Sequence, residues 1–213
     1  MILIIVGILF ALKINDWNED KKAQVGFDLY LVQLKGDVEL AIREASFRVD
    51  SSERRRGQAI RVLEQLHVPP VEPFDIEAFE RALDGLGKFA LRDLNLGYFG
   101  QLLEGNLDAI SRDRALTHEA MMMTREVKGL FTRMEVNQEH QELALATFAK
   151  YRALTHSLTP GIEMRYDLEQ MRASDEFINA TQNMAYFLSV TEEAYTGIHQ
   201  LLEDFLAALE EYE

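Results

Sequence analysis

The sequence predicts an all-α fold: a long antiparallel bundle of three long helices with a short helical insert, carried on an N-terminal transmembrane helix. Three observations predict it. Apolar residues recur at alternating four- and three-residue steps along three long stretches, the spacing that lines one face of a helix. Three of the four prolines fall between His67 and Asp75 and the fourth is Pro160, so the helix breakers sit at two candidate bends. The chain opens on an apolar run from Met1 to Leu12.

That run is the first element. Twelve helical residues rise about 18 Å, less than the roughly 30 Å of bilayer hydrocarbon. It reads either as the buried start of a soluble helix or as the last two-thirds of a membrane span, and its composition favours the span. Ile4, Ile5, Ile8, Leu9, Phe10 and Leu12 cover every face, whereas a surface helix shows polar residues at every third or fourth position. Lys13 and the sole tryptophan, Trp17, with Asn15 and Asn18 around them, suit the headgroup level, where an indole settles and a lysine snorkels. A cleaved signal peptide fits less well, because no basic segment precedes the run and no small-x-small site follows it. Residues 1–19 are therefore assigned to the C-terminal part of an anchor and 20–213 to a helical domain, with the insert at about 67–110.

The first long helix follows without a break. Phe27, Leu31, Leu34, Val38, Ala41 and Ala45 form one stripe. Strict heptads carried across the polar stretch Asp50–Gly57 land on Ala59, Val62 and Leu66, which favours one helix from the membrane to Leu66 over a capped turn at Asp50. Arg54, Arg55 and Arg56 then form a solvated face, with a buried ion pair as the alternative. His67–Asp75 is the first bend. From Ile76 to Ile110 five glycines interrupt the chain, leaving short helices near 75–84 and 96–105. Phe74, Phe79, Phe89, Tyr98 and Phe99 crowd this insert. They read as the plug of a bundle end or as a candidate ligand pocket.

A second long helix is expected over about 111–154, antiparallel to the first, on Leu116, Ala120, Met123, Val127, Leu130 and Met134. Residues 155–173 form the second bend, with a helical turn around Met164–Met171. The last helix, capped by Ser174 or Asp175, carries the most regular stripe, from Phe177 through Tyr195, Leu202, Phe205 and Leu209 to Tyr212. Burying the distal half inside the chain makes it core; leaving it open makes Tyr195, Leu202, Phe205, Leu209 and Tyr212 a candidate interface. No alternating run bounded by turn residues suggests a strand.

Three stretches carry a resemblance: Gly7–Glu19 (GILFALKINDWNE), Leu102–Ile110 (LLEGNLDAI) and Asp175–Asn179 (DEFIN). On these the chain resembles a family of uncharacterised single-pass bacterial membrane proteins, domain of unknown function 6090. Lys13 and Phe10 depart from the commoner residues of its first motif. The resemblance implies a basic cytoplasmic segment and further apolar residues upstream of Met1. It also implies an inner-membrane location with the domain from Asn15 onward in the periplasm. The family brings no known activity.

Composition narrows function mainly by exclusion. A formal net charge of -14 over 213 residues argues against nucleic acid, which needs a cationic face, and points to a cationic partner or to plain solubility. With no cysteine there is no disulfide or thiolate chemistry. Histidines 67, 118, 140, 156 and 199 stand singly, without HExxH spacing, and Met121, Met122 and Met123 fan around a helix instead of converging. No phosphate-binding glycine loop, nucleophile elbow or dinucleotide motif is present. The expectation is a membrane-tethered interaction or scaffold domain without enzymatic activity, metal or cofactor. It would be bound to the bilayer through its first helix and to a protein partner or to itself. The alternative is a periplasmic small-molecule sensor whose pocket is the aromatic insert.

Overall fold

A computed structural model describes residues 2–67, 75–86, 97–156 and 162–211, with backbone alone described for 2–12 and for most of 152–165. Helix α1 (Ile2–Leu66) is followed by α2 (Ile76–Leu86), α3 (Gly97–Leu103) and a short 3₁₀ turn at Asp108–Ile110. Then come α4 (Arg114–Tyr151), strands β1 (Arg152–His156) and β2 (Ile162–Tyr166), α5 (Leu168–Arg172) and α6 (Asp175–Glu210). The described residues are thus all-helical apart from one two-stranded hairpin.

Helix α1 is 65 residues of unbroken helix, about 98 Å of rise. It absorbs the polar stretch at 50–57, as the conserved heptad phase requires: Leu34, Val38, Ala41, Ala45, Ala59, Val62 and Leu66 are all buried. Among the described residues no helix is long and apolar enough to cross a membrane. The other helix starts are set by side-chain caps, which accept the amide hydrogens that a first turn leaves unpaired. Asp75 Oδ1 accepts from Ala78 N, Asp113 Oδ1 from Leu116 N and Asp167 Oδ1 from Gln170 N. Ser174 Oγ accepts from Phe177 N at 3.1 Å, so Ser174 is the cap of α6.

Two expectations are corrected. The region around 152–166 was expected to continue α4 and then bend; instead α4 stops at Tyr151, and β1 pairs antiparallel with β2, Arg152 opposite Tyr166 and His156 opposite Ile162. The Pro160-Gly161 breaker lies between strands that contain Thr155 and Ile162, β-branched residues suited to a ladder. The helical turn is α5, later than expected. The direction of α4 also differs. The chain divides into two compact units, residues 1–41, 94–125 and 202–213 in the first and 42–93 and 126–201 in the second. Within the second unit Arg56 of α1 and Arg133 of α4 meet Glu192 and Glu193 of α6, while Leu66 and Phe148 join Phe177 in its core, so α1 and α4 run the same way there and α6, not α4, is the helix that reverses.

In the first unit the buried apolar residues come from α1 (Leu31, Leu34, Val38), α3 (Phe99, Leu102), α4 (Leu116, Ala120, Met123) and α6 (Leu202, Phe205, Leu209). The second unit has a core in which Ala59, Val62 and Leu66 of α1 meet Phe79 and Leu83 of α2, Phe148 of α4, Met171 of α5 and Phe177, Met184 and Phe187 of α6. Phe148 and Tyr151 pack at tilted angles on Phe177 with centroids 5.6 and 5.3 Å away. Met123 is buried while Met121 and Met122 face outward, which is the fanning that three consecutive helical positions impose.

Candidate functional site

The sequence nominates three places, and the structure sorts them by burial. At the start of α1, Ile4, Ile5, Ile8, Leu9, Phe10 and Leu12 lie in the helix, with side chains outside the described residues. Lys13 and Trp17 are exposed, Trp17 retaining 60% of its surface. One turn on, Lys21 Nζ stands 4.6 Å from the centre of the indole, a cation–π contact between i and i+4 neighbours. An aromatic ring with an ammonium at its face, following eleven helical residues without a charge, is chemistry suited to a polar–apolar boundary.

The described aromatics of the insert divide between the two units. Phe74 and Phe89 lie outside the described residues. Phe79 is fully buried in the second unit, where its ring packs 5.4 Å from that of Tyr166. Tyr98 and Phe99 belong to the first unit. There Tyr98 meets Tyr30 edge to face at 5.1 Å, and the carboxylate of Asp37 accepts hydrogen bonds from Tyr98 N (2.6 Å) and Phe99 N (3.4 Å) at the start of α3. Burial, then the neighbouring Tyr98 and Asp37, pushes the Tyr30 phenol above its ordinary range. The described aromatics are structural anchors, each fastened within its own unit.

The α6 stripe is also interior. Tyr195, Leu202, Phe205 and Leu209 are buried, and Tyr212 lies outside the described residues. The candidate interface is therefore corrected: these residues are core, because the chain itself supplies their covering. Thr181 and Thr191, polar members of the same stripe, are buried without cost to hydrogen bonding, their hydroxyls donating to Phe177 O and Phe187 O one turn back.

The arginine run splits by position. Arg54 is exposed, but Arg56 reaches Glu192 of α6 through Nε (2.9 Å) and Nη2 (3.3 Å), a two-point pairing of half-buried groups. Arg55 is held below its ordinary range by burial first and then by Arg54 and Arg48. On α4, Arg133 pairs in the same forked way with Glu193, at 3.2 and 3.1 Å. Lys150 pairs with Glu176, raising the ammonium pKa and lowering that of the carboxyl, mainly through their shared hydrogen bond. Ser52, 1% exposed, has a hydroxyl with no partner. Among the described residues no group of three or more histidine, aspartate or glutamate side chains is placed to hold a metal ion.

One surface escaped the sequence reading: the outer face of α1. Ile14, Val25, Leu29, Val32 and Leu40 are all exposed, and a side chain at Gly36 would meet nothing within 4 Å. At 100° per residue these positions fall within one narrow sector, opposite Leu31, Leu34 and Val38. The signal was available in the sequence as a second four–three ladder, weaker in apolar content than the buried one and masked by it.

No family model matches the chain, and no curated protein or solved structure matches it.

Proposed function

We propose that this chain is a non-enzymatic, membrane-tethered interaction or scaffold module of a bacterial inner membrane, with the start of α1 contributing to the tether and the helical body in the periplasm. The tether is supported by the charge-free opening of α1, by the exposed Trp17 with Lys21 against its ring, and by the resemblance of Gly7–Glu19 to a membrane-exit motif. The observation that carries the interaction reading is the exposed apolar face of α1. Its side chains stand in water on a helix whose other face is already buried, and a contiguous apolar strip of this kind marks contact with another macromolecule.

Fractionation of cells expressing the full chain tests the tether. Recovery in the membrane pellet after alkaline carbonate washing, with release on deletion of residues 1–19, is expected, and a wholly soluble chain would overturn it. Digestion of the helical body in spheroplasts supports the periplasmic orientation, and its protection there contradicts it. A metabolite or metal that reproducibly raises the melting temperature would replace the scaffold reading by a sensing one, since selective binding to the native state stabilises by mass action.

A further inference from the structure

On the outer face of α1 the residues Lys22, Val25, Leu29, Val32, Gly36 and Glu39 are separated by steps of three, four, three, four and three. Those steps read the same from either end, with the midpoint between Tyr30 and Leu31. They describe an a/d ladder of a coiled-coil seam, and none of the six is buried: Val25, Leu29 and Val32 keep 67, 58 and 64% of their surface. We propose that this face is the contact by which two copies of the chain pair, α1 against α1 and antiparallel.

The chemistry chooses the occupant and the direction. In an antiparallel pair with a two-fold axis at the midpoint, each layer joins residues equidistant from it. Leu29 then meets Val32 of the second copy, Val25 meets Gly36, and Lys22 meets Glu39. The centre is apolar, the larger side chain faces the glycine that has open space above it, and the outermost layers join opposite charges. Asp28 and Lys35, on the flank of the seam, likewise fall beside each other across the pair. A parallel pair sets Lys22 on Lys22 and Glu39 on Glu39, like charges in contact, and Gly36 on Gly36, leaving a gap. Any coiled-coil seam shares the alternating spacing, but opposite charges at the two ends of the ladder, Lys22 and Glu39, are what head-to-tail self-pairing uses.

The six layers span about 26 Å of helix, a short contact, so the pair forms and dissociates with concentration. Its two helix starts lie at opposite ends of the pair and each α1 runs on to Leu66, so pairing competes with the tethering of both copies in one bilayer. The inference rests on the interaction reading and names its partner; tethering is decided separately by fractionation.

Sedimentation of the purified full chain across about 1–200 μM, a range set by contacts of this size, is expected to show a monomer–dimer equilibrium. Leu29→Asp should abolish the dimer with helix content unchanged, and with the melting temperature unchanged at concentrations where the parent is monomeric. Lys22→Glu and Glu39→Lys should each weaken pairing about fivefold, as two exposed ion pairs turned repulsive imply, and the double variant should restore it. Because the chain has no cysteine, L29C and V32C can be introduced cleanly. Oxidation of their equimolar mixture should cross-link more than either variant alone. A monomer at every concentration, a dimer indifferent to Leu29→Asp, no rescue by the double charge exchange, or V32C cross-linking best by itself would each overturn the proposal.

Discussion

At Gly97 the backbone φ is +41°, and a Cβ there would lie 2.5 Å from Asp37 Oδ2. Both the conformation and the close approach demand glycine, because the same carboxylate receives the first amides of α3. Gly97→Ala should therefore destabilise the chain by about 1–3 kcal/mol, read as a lower urea midpoint with unchanged slope. Gly85→Ala, whose Cβ would meet only the movable end of Gln58, serves as the milder comparison. A second residue-scale expectation concerns alkali. The Tyr166 phenol is pushed up to about 12 by burial first and by the charge and hydrogen bond of Glu80, whose Oε1 accepts from it at 3.2 Å. The unfolded chain ionises a tyrosine near pH 10, so deprotonation favours unfolding in that interval. The stabilisation is complete below about pH 10 and is lost as pH rises towards about 12. Ultraviolet titration of phenolate should show a late-titrating tyrosine that disappears in Tyr166→Phe and shifts to lower pH in Glu80→Gln.

For the long helices, burial divides substitutions that look equivalent in sequence. Leu202→Asp or Phe205→Asp places a carboxylate in an interior position and should cost several kcal/mol. Leu29→Asp on the outer face of α1 should leave thermal unfolding within about 0.5 kcal/mol of the parent at concentrations where the parent is monomeric. Circular dichroism melts of the three variants check both statements. The helices themselves were legible because the dominant stripe of each has a strong 3.6-residue period and proline marks the breaks: α1 to Leu66 and the Ser174 cap of α6 follow from those rules alone. The hairpin was not legible, since five-residue strands offer too few alternations to outweigh a neighbouring helical pattern. The direction of α4 was hidden for another reason, namely that an insert with two short helices can return the chain to either end. Phe79, Tyr98 and Phe99 were recognised as clustered aromatics, but clustering along the chain does not determine which core each joins, and burial fastened them separately.

At the scale of the whole molecule, the net charge of -14 sets a uniform self-repulsion against which the fold is held. Raising ionic strength from about 0.01 to 0.15 M shortens the screening length from about 30 to 8 Å, so the melting temperature should rise with salt. A scanning fluorimetry series in sodium chloride tests this, and a falling trend would mean that favourable ion pairs outweigh the repulsion. The division into two units, each drawing on α1, α4 and α6, has no local signature, because it depends on which distant segments meet. Within the second unit, adjacent glutamates on α6 reach different helices: Glu192 binds Arg56 of α1 and Glu193 binds Arg133 of α4. Neighbouring helical positions point about 100° apart, so the two tethers triangulate the azimuth of α6 as well as its height. A single residue inserted ahead of Glu192 would swing both carboxylates away together, like a key turned out of its wards.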